Sequence, residues 1–140
     1  MIVELINTGS ELLLGHTLNT HQQWLGRRLA DLGMPLSRQV CVPDTGPAIA
    51  QAVREALGRA DLVLCTGGLG PTTDDLTRQC VAELVGKPLR EDPTVWAHIQ
   101  GFFAARGRPL PEGVRVQALV PEGRWSCPTD TGQLPAWRLS

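Results

Sequence analysis

The amino-acid sequence predicts an α/β fold, a parallel sheet flanked by helices. Three observations predict it. Ile2–Asn7 is a near-continuous apolar run, as expected of a central strand covered on both faces. Strand-like and helix-like segments then alternate at the spacing of βαβ units. The apolar run Asp61-Leu-Val-Leu-Cys65 empties into a glycine-rich stretch, Thr66-Gly-Gly-Leu-Gly-Pro-Thr-Thr-Asp-Asp-Leu-Thr77, that ends in two carboxylates and opens a helix.

Each element has its own signal. Thr8–Thr17 reads as a polar loop. Asn19 or Thr20 caps a helix through about Leu32, with Trp24, Leu25, Leu29 and Leu32 on one face, and Gly33 stops it. Pro35–Val42 reads as a second strand. A helix from about Pro47 to Leu57 follows, with Ile49, Val53 and Leu57 at helical spacing. Leu62–Cys65 is the third strand. Asp75 or its neighbour caps a helix to Leu84. Asp92 and Pro93 open another, carrying Val95, Trp96, Ile99, Phe102 and Phe103, and Gly107 closes it. Trp24 and Trp96 read as core or interface anchors.

Composition narrows the function classes. The chain has 140 residues, enough for one domain with a real core. A net charge of −1, with 13 Lys and Arg not gathered into a run, leaves no nucleic-acid footprint. Two Phe and no Tyr leave little surface for stacking bases. No stretch is long and apolar enough to predict a membrane span. The N-terminus shows no basic region of the kind that opens a signal peptide, so a cytoplasmic protein is expected. The cysteines, Cys41, Cys65, Cys80 and Cys127, have no metal-ligand spacing, and Cys41 and Cys65 read as small buried hydrophobes. His16, His21 and His98 show no metal spacing either.

In a parallel sheet, ligands bind outside the carboxyl ends of the strands. Three loops leave those ends, Gly9–Gly15, Pro43–Gly46 and Gly67–Asp75, and each carries an acid: Glu11, Asp44, and Asp74 with Asp75. Gly67, Gly68 and Gly70 suit a backbone that approaches phosphate closely at a helix start. Thr66 and Ser10 are candidate hydrogen-bond donors to it. Paired acids beside a phosphate suggest a divalent ion, Mg2+ or similar, with Asp75, Asp44 and Glu11 as candidate ligands. Competing readings stand beside these: an ordinary strand-to-helix turn for the glycine loop, a helix cap for Asp44 or Asp74, a solvated loop acid for Glu11.

The ordered motifs Gly9-Ser-Glu-Leu-Leu-Leu-Gly15, Asn19-Thr20, Val42-Pro-Asp44 and Thr66 to Thr77 resemble the CinA family of competence/damage-inducible proteins, within the MogA/MoaB-like molybdopterin-binding superfamily. Phe102-Phe-Ala-Ala-Arg-Gly-Arg-Pro-Leu-Pro111 and Gln117-Ala-Leu-Val-Pro-Glu-Gly123 add to the likeness. The resemblance implies a three-layer α/β fold over residues 1–123 and a small nucleotide or molybdopterin-type ligand. It implies a metal-dependent pyrophosphatase acting on ADP-ribose, with Asp75 and Asp44 at the positions of the family's acids, or a ligand-binding domain without hydrolysis. It also implies a homo-oligomer.

Residues 124–140 depart from that pattern. The family continues with an apolar strand, Leu-Pro-Asn, then Gly-Thr-Ala-Pro-Gly, whereas this chain is Trp-rich and lacks strand periodicity. One permitted back-translation, read in another frame, restores the family pattern in register. The sequence is therefore expected to carry a frameshifted tail and an incomplete C-terminal part, which predicts an unpaired strand edge and a destabilised or inactive product.

Overall fold

A computed structural model describes residues 1–123, together with the backbone of 125–127 and 136–138. Strands β1 (Val3–Thr8), β2 (Arg38–Val42) and β3 (Leu62–Thr66) form a parallel sheet in the order β2-β1-β3. The apolar run thus becomes the central strand, buried at all six residues. Helices α1 (Ser10–Leu13), α2 (Thr20–Asp31), α3 (Gly46–Leu57), α4 (Thr77–Leu84) and α5 (Pro93–Ala104) connect and follow the strands.

The main core lies where Ile6 of β1 meets Ile49, Val53 and Ala56 of α3 and Cys80 and Val81 of α4, with Val40, Val42, Val63 and Cys65 packed against it. By the two-residue period of a strand, Val3 and Leu5 face the opposite side, and both are fully buried. Glu4, only 2% exposed, is held by a two-pronged contact with Arg59 at 2.6 and 3.0 Å, so its buried charge is paired. A second core joins Val95, Ile99 and Phe103 of α5 to Val114 and Ala118 of a 3-10 turn and to Val120, with Trp96 and Phe102 against it.

Several expectations are corrected. The first loop contains a one-turn helix, Ser10–Leu13. On α2 only Leu29 is buried; Trp24 is 64% and Leu32 57% exposed, so Trp24 is no core anchor. On α3, Ala56 takes the buried place expected of Leu57, which is 46% exposed. Seven residues on from Ile49 return the helix to within about 20° of the same direction, whereas eight overshoot by about 80°. Two short strands went unread: β4 (Leu89–Glu91) pairs antiparallel with β5 (Leu119–Pro121), and three residues are too few to show periodicity. Of the two candidate caps Asn19 and Thr20, Asn19 caps α2 through the Gln22 amide at 3.0 Å, and Asp92 caps α5 through the Thr94 and Val95 amides, as read.

The expected frameshifted tail lies outside the described residues. Only a backbone pairing is described there, β6 (Trp125–Cys127) with antiparallel β7 (Ala136–Arg138), where no strand was expected.

Candidate functional site

The strand register decides which loops meet. Thr8 is level with Val42 and Asn7 with Thr66, so the chain leaves all three strands at the same edge, with the β1 loop between the other two. The three acid-bearing loops are therefore neighbours, as the strand order requires.

The glycine loop is folded down onto the protein. Gly67 and Gly68 have φ of +90° and +63°, a region costly for any residue with a Cβ. A Cβ on Gly67 would collide with the Thr8 carbonyl and hydroxyl, one on Gly68 with the Thr77 hydroxyl, and one on Gly70 with the Asp75 carboxylate. The space freed at all three glycines is thus filled by protein atoms. The first turn of α4 ties the loop down: the Thr77 amide donates to the Gly68 carbonyl at 3.1 Å, and Arg78 Nη2 donates to the Leu69 carbonyl at 2.5 Å. In a planar trans peptide the N–H points away from the C=O. With both carbonyls turned toward α4, the Leu69 and Gly70 amides face the other way. The Gly70 amide reaches Asp75, and the Leu69 amide has no partner among the described residues.

Asp75 does not cap α4, and neither does Asp74; the N-cap position is Leu76, without a side-chain bond. Instead Asp75 accepts from the Thr72 amide at 2.9 Å and the Thr72 hydroxyl at 2.5 Å, while Asp74 accepts from the same hydroxyl. Partial burial pulls the Asp75 carboxyl up, but Thr72, Gly70 and the nearby Arg78 charge together hold it below its ordinary value. It is a carboxylate at any physiological pH.

The first two loops are clamped to each other. The Ser10 amide donates to the Asp44 carboxylate at 2.8 Å, and the Asp44 amide donates to the Ser10 hydroxyl at 3.2 Å. Asp44 thus serves the start of α1 rather than the helix that follows it in sequence. Exposed Glu11 folds back over Gly9, where a Cβ would meet its carboxylate at 2.7 Å. Burial first, then the charges of Glu11 and Asp44, push the Cys41 thiol up; burial alone pushes Cys65 up to about 11. Both thiols are only half-buried, not the fully buried hydrophobes expected, although both pack among apolar neighbours or loop atoms.

Several residues of the strand ends went unread. Asn7, 1% exposed on the central strand, donates to Thr66 Oγ1 at 2.6 Å and accepts from Gln39 Nε2 at 3.0 Å, linking all three strands. The Thr8 and Thr77 hydroxyls lie 3.3 Å apart beneath Gly67 and Gly68. The only signal for Asn7 and Thr8 was their polarity at the end of an apolar run; Arg78, inside a helix, had none.

The divalent ion expected of these acids finds no prebuilt cage. Among the described residues no three His, Cys, Asp or Glu side chains form a group able to hold a metal. Asp44 is bound to Ser10 and Glu11 folds over Gly9, whereas Asp74 and Asp75 are bound into their own loop through Thr72. As placed, the described carboxylates are not gathered into one metal-binding group.

A parallel sheet with a glycine loop folded over the end of its central strand defines an α/β domain of the MogA/MoaB kind. Residues 4–136 match the family described as "Probable molybdopterin binding domain". A putative competence-damage inducible protein of Symbiobacterium thermophilum is 47% identical over 135 residues, covering 96% of this chain and 32% of that protein. A CinA-like protein of a Synechococcus strain is 45% identical over 133 residues, covering 95% and 32%. The chain thus spans about a third of the length of these curated relatives. The crystal structure of CinA from Thermoplasma acidophilum superposes with a TM-score of 0.81 at 32% identity, covering 96% of this chain and 79% of that one. MoaB from Thermus thermophilus, at 23% identity and TM-score 0.59 over 85% of this chain and 71% of its own, shares the fold. The chain belongs to the molybdopterin-binding domain family and, within it, to the CinA-like proteins.

Among the described residues, no helix is long and apolar enough to cross a membrane.

Proposed function

We propose that this domain binds a small nucleotide or molybdopterin-type ligand through its phosphate groups at Gly67, Gly68 and Gly70, and hydrolyses the pyrophosphate of an ADP-ribose-type ligand there. The carrying observation is the orientation of the loop. With the Gly68 carbonyl bound to α4, the Leu69 amide faces the other way and has no partner among the described residues, near the start of a helix whose dipole favours an anion. Two hydroxyls add donors. Ser10 Oγ accepts from the Asp44 amide and Thr66 Oγ1 accepts from Asn7, so each keeps its own proton for a ligand oxygen.

In the hydrolytic reading a water oxygen attacks one phosphorus, the bridging P–O bond breaks, and AMP and a sugar phosphate leave with the released protons passing to solvent. Asp75, ionised and fixed by Thr72, orients the water by accepting a hydrogen bond, and Asp44 holds the Ser10 loop against the ligand. A divalent ion such as Mg2+ belongs to this proposal only as a companion of the diphosphate, since the described carboxylates are not gathered for it. Incubation with ADP-ribose and Mg2+, following AMP release, tests the reading; undiminished release by Asp75→Ala would sink it.

The scattered carboxylates favour a second reading, ligand binding without turnover. Calorimetric binding of ADP-ribose with no AMP released would establish that one. Assembly as a homo-oligomer and residence in the cytoplasm are part of the same proposal, and sedimentation of the purified chain tests the former.

A further inference from the structure

Arg78 stands in an unusual place. It is 4% exposed, in the first turn of α4, directly under the glycine loop. Its Nη2 holds the Leu69 carbonyl, its Nε has no hydrogen-bond partner, and among the described residues no carboxylate forms an ion pair with it. Asp75 acts on it through space, yet burial dominates and draws the guanidinium below its ordinary value. A buried cation without an ion-pair partner is expensive, and an unmade buried hydrogen bond adds to the cost. Glu4 and Arg59 show how this chain balances a buried charge when stability is the only demand: with a two-pronged partner.

We propose that Arg78 is the counter-charge and positioning residue of the phosphate loop: a buried cation balanced by the ligand's diphosphate, which also anchors the loop to α4 through the Leu69 carbonyl. The inference rests on the phosphate-binding reading above and names the residue that sets its preference for highly charged phosphoryl groups. The bond from Nη2 to the Leu69 carbonyl is the positioning element. The uncommitted Nε–H is the donor held in reserve for the anion.

The proposal separates stability from binding. Arg78→Met removes the cost of a buried charge but leaves the Leu69 carbonyl without its bond, so its unfolding temperature should fall by only a few degrees. Its affinity for inorganic pyrophosphate and for ADP-ribose should fall about tenfold or more, the loss of one charge-assisted contact, and Arg78→Lys should recover part of it. The affinity of Arg78→Met should also depend less on salt. Calorimetric titration with pyrophosphate, paired with thermal melts, reads all of this. If Arg78→Met does not fold, the wild-type chain still decides: pyrophosphate should shift one arginine Nε–H resonance and slow its exchange, a signal absent from Arg78→Lys. Unchanged pyrophosphate affinity in a folded Arg78→Met, an affinity loss no greater than its loss of stability predicts, or no arginine resonance responding in the wild type overturns the role of Arg78 alone. A folded wild-type chain that does not bind pyrophosphate at all overturns the phosphate reading and Arg78 with it.

Discussion

Ser10 and Asp44 hold each other by two crossed hydrogen bonds, amide to carboxylate at 2.8 Å and amide to hydroxyl at 3.2 Å. One residue follows β1 and the other follows β2, so this pair locks the first two loops of the site into a single unit. The pair also separates two roles for Asp44. Asp44→Asn keeps an oxygen to accept the Ser10 amide, whereas Asp44→Ala leaves that amide unpaired, at a cost of about 1 kcal/mol. If Asp44 acts only as a clamp, the Asn variant keeps wild-type stability and turnover while the Ala variant loses both. Loss of turnover in a stable Asn variant would assign the charge itself to the chemistry. Thermal melts with AMP-release assays on both variants distinguish these outcomes.

Asp75→Ala should lower ADP-ribose turnover by about a hundredfold, the usual scale for losing a positioned carboxylate. Its pH signature has a definite sign. The folded carboxyl sits below its ordinary value of 3.8, so its contribution to stability is complete above that value and is lost as the pH falls through the lower, folded one. Asp75→Asn should therefore flatten the acid limb of the stability profile below about pH 4 and leave the neutral region nearly parallel to wild type. An unchanged acid limb in urea melts across that range would contradict the hydrogen-bonded geometry around Thr72.

Gly67→Ala should destabilise the chain by about 3 kcal/mol, combining the left-handed backbone with a Cβ forced into the Thr8 carbonyl. Gly15→Ala, also left-handed but with nothing near its Cβ, should lose only the backbone part, about 1–2 kcal/mol. Equal losses in denaturant titrations would show that the contact with Thr8 contributes nothing.

Titrating Mg2+ into the ligand-free chain should show no binding tighter than about 1 mM, because no three-acid group is assembled among the described residues. The same titration with ADP-ribose present should show Mg2+ uptake coupled to the diphosphate. Tight binding by the free chain would show that the carboxylates rearrange into a cage.

Cys65 should resist alkylation at neutral pH. A thiol pushed up to about 11 leaves roughly one molecule in several thousand as thiolate at pH 7.5. Cys41 and Cys80 are also shifted upward, so all three should react more slowly in the folded chain than in urea. Site-resolved mass spectrometry after iodoacetamide treatment measures this, and rapid folded-state labelling of Cys65 would show that β3 opens.

Much of the architecture was legible in the sequence because it rests on local rules. The near-continuous apolar run marks β1 as central, since only a strand covered on both faces can lack polar alternation. Asn19 and Asp92 cap their helices through bonds to residues two or three positions away. The parallel alternation by itself placed the glycine loop and the acids Glu11, Asp44 and Asp75 at one edge of the sheet.

Tertiary structure alone decided what those residues touch. Asp75 looked like a helix cap, but Thr72 and Gly70 claim its oxygens. Asp44 looked like the cap of the helix after it, but its partner Ser10 lies 34 positions away across the sheet. The glycines read as room for a ligand, and Thr8, Thr77 and Asp75 occupy that room. Arg78 carried no pattern at all, because a cation in a helix reads as solvated until packing buries it. Strand order and register bring such partners together across long separations, so hydrophobic periodicity and capping signals determined the scaffold and the edge where the site lies, while long-range packing determined which group at that edge has a hydrogen bond left to give.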